Sequence, residues 1–102
     1  MTEAKNHPSE KDHELAKYDR AVSMVVNAAR RKFIQNRNRG KFGWDDPKVW
    51  QRMGQHPLNR AKFELDEARK ENIDIAARTT ELGDVLNFLA FDRACEEAVR
   101  CG

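Results

Sequence analysis

From Leu15 onward the apolar residues of this chain recur at intervals of three and four, and nowhere do they alternate. Leu15, Tyr18, Val22, Val25, Val26, Ala29 and Phe33 trace one face of a helix running to about Gln35. With no run of period two there is no half-buried strand from which to build a sheet. The expected fold class is therefore all-α, a helical bundle. No repeat and no heptad pattern long enough for a coiled coil is present.

The punctuation between apolar runs divides the rest of the chain. Residues 1–12 are polar, contain Pro8 and carry no apolar period, which predicts a disordered tail ahead of one all-α domain over 13–102. The first helix breaks in NRNRGKFGWDDP, where Asn, two Gly and Pro47 cluster. Asp46-Pro47 reads as an N-cap followed by proline at the first helical position, opening a short helix that ends near Gly54. Pro57 opens a second main helix, with Leu58, Ala61, Leu65 and Ala68 as its stripe, to about Glu71. Asn72 and Asp74 supply turn and cap chemistry for a last helix from Ile75 to about Arg100.

A core made from these helices is small. Leu, Ile, Val and Phe total 20 of 102 residues, and 35% of the chain is charged. A formal net charge of +2 does not oppose collapse, yet so little apolar area per residue favours completing the core with a second copy. The last helix points the same way, because Val85, Leu86, Phe88, Leu89 and Phe91 span most of its circumference. A homodimer or higher homo-oligomer is expected. No stretch approaches the 18–20 apolar residues of a membrane span and the N-terminus has no signal-peptide core, so a soluble, cytoplasmic protein is expected. Cys95 and Cys101 fit neither a zinc knuckle nor a disulfide framework and are expected as free thiols. His7, His13 and His56 show no spacing for metal or triad chemistry.

Two carboxylate pairs spaced i, i+3 stand out: Glu64 and Glu67 on the second main helix, Glu81 and Asp84 on the last. Glu71 and Asp74 make a third, and chance alone gives roughly three such pairs in a chain this acidic. Their setting separates the first two. Glu81 and Asp84 lie within ELGDVLNFLAF, and Glu64 is flanked by Phe63 and Leu65. Ionised carboxylates beside a core stripe need compensation by a cation or by hydrogen-bond donors. If the two helices form an antiparallel hairpin turning near Asn72 and Ile73, Glu64 and Glu81 lie at similar distances from the turn and face each other. Four carboxylates without His or Cys make an all-oxygen site suited to Mg²⁺ or Mn²⁺. The competing account is two solvated helix faces paired to Arg69, Lys70 and Arg78.

ELDEA, a gap of thirteen residues after Glu67, and then ELGDVLNFL resemble the ExxE and ExxD signature of the MazG-like all-α nucleoside triphosphate pyrophosphohydrolases. The likeness covers about residues 58–91. It implies Mg²⁺-dependent cleavage of a nucleoside triphosphate to monophosphate and pyrophosphate, with Glu64, Glu67, Glu81 and Asp84 holding one or two ions and Glu64 or Glu67 orienting the attacking water. It also implies a bundle assembled from two or more chains. Many members double the Glu of the first motif, whereas here Phe63 precedes Glu64.

Around this constellation, residues 30–41 carry six positive charges and no negative one, while Glu64 to Asp84 holds seven acids against three bases. A basic element of this kind gathers polyphosphate toward a cleft, binds nucleic acid through its phosphates, or is simply a solvated helix end. Lys41 and Arg78 are the cations expected on the substrate. Phe42 and Trp44, in the loop, either stack on a base or plug the end of the bundle; Trp44 is taken as a substrate contact. Asn87 shares a helical face with Asp84 and is expected to hydrogen-bond a sugar or an inner-shell water. The alternative function is a non-enzymatic helical dimer of the same fold that binds nucleic acid or another protein.

Overall fold

The computed structural model describes residues 9–70 and 72–101, and among them there are four helices and no strand: α1 (Glu10–Asn38), α2 (Pro47–Arg52), α3 (Pro57–Ala68) and α4 (Ile75–Cys101). The all-α reading holds. No helix among the described residues is long and apolar enough to cross a membrane. Residues 1–8 of the expected tail, and Glu71, lie outside the described residues.

Residues 9–12 start α1 and are not tail. Ser9 Oγ accepts from the Asp12 backbone N–H at 3.1 Å, and Asp12 accepts from the Ser9 N–H at 3.3 Å. This reciprocal capping box satisfies two otherwise orphaned donors and starts the helix before its apolar stripe begins. At the other end Gly40, at φ +78, lets the chain reverse: Lys41 N–H returns to the Asn36 carbonyl at 2.9 Å and Gly40 N–H to that of Arg37 at 2.9 Å. The same pair of bonds closes α2, from Gln55 to Trp50 and from Gly54 to Gln51.

Asp46 caps α2 through the Lys48 N–H at 2.9 Å, with Pro47 in the first position, as the sequence predicts. His56 caps α3, its Nδ1 accepting from the Leu58 N–H at 3.1 Å, a structural role that its spacing did not announce. Asp74 opens α4 by accepting from the Ala77 N–H at 2.7 Å, after Asn72 has turned the chain at φ 68.

Both α1 and α3 pack on α4, and small residues set how closely they approach. The buried residues are Ala28, Ala29, Trp50, Pro57, Ala61, Ala68, Gly83 and Cys95. Gly83 is the point of closest contact: a Cβ built there would lie 2.8 Å from the Ala29 nitrogen and 2.9 Å from the Ala28 carbonyl carbon. One turn on, Asn87 Nδ2 donates to the Ala29 carbonyl at 2.9 Å. Beyond that crossing Phe33, Trp44, Trp50, Phe88 and Phe91 form a cluster with ring centroids 5.2–6.5 Å apart. Trp50 Nε1–H donates to the Trp44 carbonyl at 2.8 Å, pinning the loop into the cluster.

The radius of gyration is 18.1 Å, against about 13 Å for a compact chain of this length. Much of the difference lies in α1. Residues 10–24 are exposed throughout, including Leu15, Tyr18 and Val22 of the predicted stripe. On α4, by contrast, Val85, Leu86, Phe88 and Phe91 are half-buried by the chain's own elements, and only Leu89 of that set is exposed. Among the described residues an uncovered apolar stripe thus stands on α1, while the chain's own elements cover more of α4 than the helix periodicity indicated.

Candidate functional site

Glu64 of α3 meets Glu81 and Asp84 of α4, with one carboxylate oxygen of each lying within 4.8 Å of the others. All three residues are half-buried. They converge because α3 packs along α4, which places the turn carrying Glu81 and Asp84 against Glu64. Burial pushes the Glu64 carboxyl up to about 7, reinforced by a hydrogen bond to Glu81 and by the charges of Glu81 and Asp84, against the pull of Arg60. Burial likewise raises Asp84, with Glu81 adding to the effect and Lys32 and Arg60 opposing it. A carboxyl raised this far keeps its proton more readily in the folded chain than in the unfolded one.

One atom is left uncompensated. Glu81 Oε2 is buried and has no hydrogen-bond partner. A buried, unpartnered carboxylate oxygen on a residue that meets two further carboxylates is an arrangement a hard divalent cation relieves, and the donor set is all oxygen, as such a cation prefers. The residues present fit a divalent ion.

The other expected site residues separate. Glu67 stands outside the trio, its carboxylate gripping Lys70 at 2.6 Å on the half-exposed side of α3. Asn87, expected on the ligand, donates its Nδ2 to the Ala29 carbonyl and so ties α4 to α1. Arg78 is exposed on the first turn of α4. Lys41 and Trp44 both line a cavity of about 460 Å³ whose walls include Trp50, Phe88 and Phe91. Trp44 is built into the aromatic cluster that walls this space, while Phe42 is exposed with the Arg37 guanidinium 4.3 Å from its ring centroid.

Two cations not singled out for the site face it: Lys32 of α1, acting on Asp84, and Arg60 of α3, whose Nη2 donates to Glu64 Oε1 at 3.0 Å. Arg60 was legible in principle as the i−4 partner of Glu64. Lys32 was not, since only the packing of α1 on α4 brings it near. Both cysteines are free thiols; Cys95 is buried with its Sγ 3.6 Å from the Trp44 carbonyl, and Cys101 is exposed. Burial, with the nearby Asp45, Asp92 and Asp46 charges, raises the Cys95 thiol, which suits a packing residue rather than a nucleophile.

No protein-family model, curated protein or solved structure matches this chain.

Proposed function

We propose that the chain is a cytoplasmic, Mg²⁺-dependent nucleoside triphosphate pyrophosphohydrolase, with Mn²⁺ able to replace Mg²⁺, acting as a homo-oligomer. The observation that carries this reading is the convergence of Glu64, Glu81 and Asp84, together with the buried, unpartnered Glu81 Oε2, next to an aromatic-walled cavity. An antiparallel α3–α4 hairpin is supported by two pairings that run in opposite directions along the helices, Glu64 with Glu81 and Asp84, and His56 with Asp92 at 3.8 Å.

When bound, the ion supplies charge neutralisation for the triphosphate and a more acidic water. This chain's own residues do the remaining work. Glu64, Glu81 and Asp84 would hold the ion, and Glu67 would complete the set on release from Lys70. Glu64 or Glu67 would orient the water and take its proton as it bonds to the α-phosphorus, the Pα–O–Pβ bond breaking so that pyrophosphate leaves. Trp44, Phe88 and Phe91 wall a space into which a base fits by stacking, and Lys41 in its lining, with the exposed Arg78 on the first turn of α4, draws in polyphosphate.

The second copy is expected on α1. Leu15, Tyr18 and Val22 are 57%, 64% and 41% exposed, and they continue the stripe whose next turns, from Val25 to Ala29, pack inward. A twofold arrangement with α1 beside its counterpart covers both stripes at once.

The test is incubation with each common nucleoside triphosphate and Mg²⁺, reading pyrophosphate release. Product that disappears with EDTA supports the reading. Absence of product with every nucleotide, alongside salt-sensitive binding of DNA or RNA through the exposed Arg30, Arg31, Arg37 and Arg39, would favour the binding protein instead.

A further inference from the structure

Arg60 belongs to two neighbourhoods at once. Its guanidinium holds Glu64 at 3.0 Å, and its central carbon lies 4.9 Å from the Phe63 ring centroid and 5.5 Å from that of Phe88. Phe88 and Arg60 both line the aromatic cavity, so this one side chain joins the cavity to the acidic trio. Its side chain is 35% exposed, against 14% for Glu64, which leaves the guanidinium room to turn while the carboxylate stays in place.

A divalent cation and a guanidinium compete for the same Glu64 oxygens. Once the carboxylate is committed to an ion, a positive charge left beside it is repelled unless an anion comes between. The ring of Phe88, already 5.5 Å from the guanidinium while it holds Glu64, would continue to support it by cation–π contact at the cavity wall. A planar fork held there is suited to bidentate contact with phosphate oxygens.

We propose that Arg60 is a positioning residue with two stations, neutralising Glu64 while the trio lacks a divalent cation and holding a phosphate group of the ligand once a cation takes the carboxylates. This rests on the trio being a divalent-cation site. Metal and phosphate binding are therefore coupled through Arg60: the ion frees the guanidinium and the phosphate keeps it free.

The experiment is calorimetric titration of the full chain with MnCl₂ alone, then with inorganic tripolyphosphate at saturating Mn²⁺, for wild type, Arg60→Gln and Arg60→Lys. Arg60→Gln removes the competing charge and should bind Mn²⁺ about fivefold more tightly, yet bind tripolyphosphate about tenfold more weakly. Arg60→Lys should keep wild-type Mn²⁺ affinity and recover part of the tripolyphosphate affinity. A merely structural role cannot produce opposite changes in the two affinities. If Arg60→Gln leaves both affinities unchanged or weakens both, the two-station role is overturned while the metal site stands. If the wild type does not bind Mn²⁺, the metal site itself is overturned, and the role of Arg60 with it.

Discussion

Raising the pH from 5 to 8 in EDTA is expected to destabilise this fold, against the usual behaviour of carboxylates that are paired in the native state. The group responsible is Glu64, held at about 7 in the folded chain against 4.5 for the free side chain. Below 4.5 both folded and unfolded states carry the proton, and its contribution is fully present. Between 4.5 and 7 only the folded state keeps it, so stability falls as pH rises and the loss is complete above 7. Asp84, also raised, adds in the same direction. A shift of this size corresponds to roughly 3 kcal/mol at full weight. Discounted for the residual exposure of Glu64 to solvent, about 2 kcal/mol is the working figure, or a fall in Tm of about 10 °C for a domain of this length. Saturating Mn²⁺ should reverse the trend, because ion binding requires the deprotonated trio. At pH 6 its uptake should displace about one proton, and at pH 8 almost none. Thermal melts across the pH range, with and without EDTA, read the first effect. Titration calorimetry in two buffers of different ionisation heat reads the second. Glu64→Gln, which cannot titrate, should flatten the melting profile. A Tm in EDTA that is level or rising from pH 5 to 8, or Mn²⁺ binding at pH 6 without proton release, would refute the raised Glu64 carboxyl.

Three further outcomes follow from individual contacts. Glu81→Gln and Asp84→Asn should each abolish pyrophosphate release while leaving the far-ultraviolet helical signal intact, and should raise the metal-free Tm by relieving carboxylate repulsion; full activity in either would remove that residue from the site. Gly83→Ala should cost about 2 kcal/mol or more in chemical denaturation, since its methyl meets the backbone of Ala28 and Ala29 rather than a side chain that can turn aside, and an unchanged midpoint would contradict the close α1–α4 approach. Tyr18→Glu, on the exposed α1 stripe, should shift the light-scattering mass toward a monomer at micromolar concentration; a wild type that is itself a stable monomer would dispose of the proposed assembly.

The existence, type and order of the four helices were legible in the amino-acid sequence because the signals that carry them are local. An apolar residue every third or fourth position, Asp46 before Pro47, and Asn72 with Asp74 act within a turn or two of where they stand. The start of α1 was less visible, since a capping box with Asp at its third helical position lies ahead of any apolar period. Within the candidate site, Glu81 and Asp84 share a helix face by spacing alone. Which α3 carboxylate joins them was a tertiary decision. Glu64 and Glu67 point about 60° apart around the helix axis, and the packing of α3 on α4 brings Glu64 to Glu81 and Asp84 while Glu67 pairs with Lys70. Asn87 met the same limit: a polar residue one turn past Asp84 borders both the acidic trio and α1, and the close approach of Ala29 gave its amide to the α1 backbone. Lys32 and Trp44 depend on contacts across the whole chain, Lys32 near Asp84 and Trp44 between Phe33 and Phe91. Spacing along a helix sets direction only relative to its own axis; the rotation of that axis against its neighbours is set by which small residues let them touch.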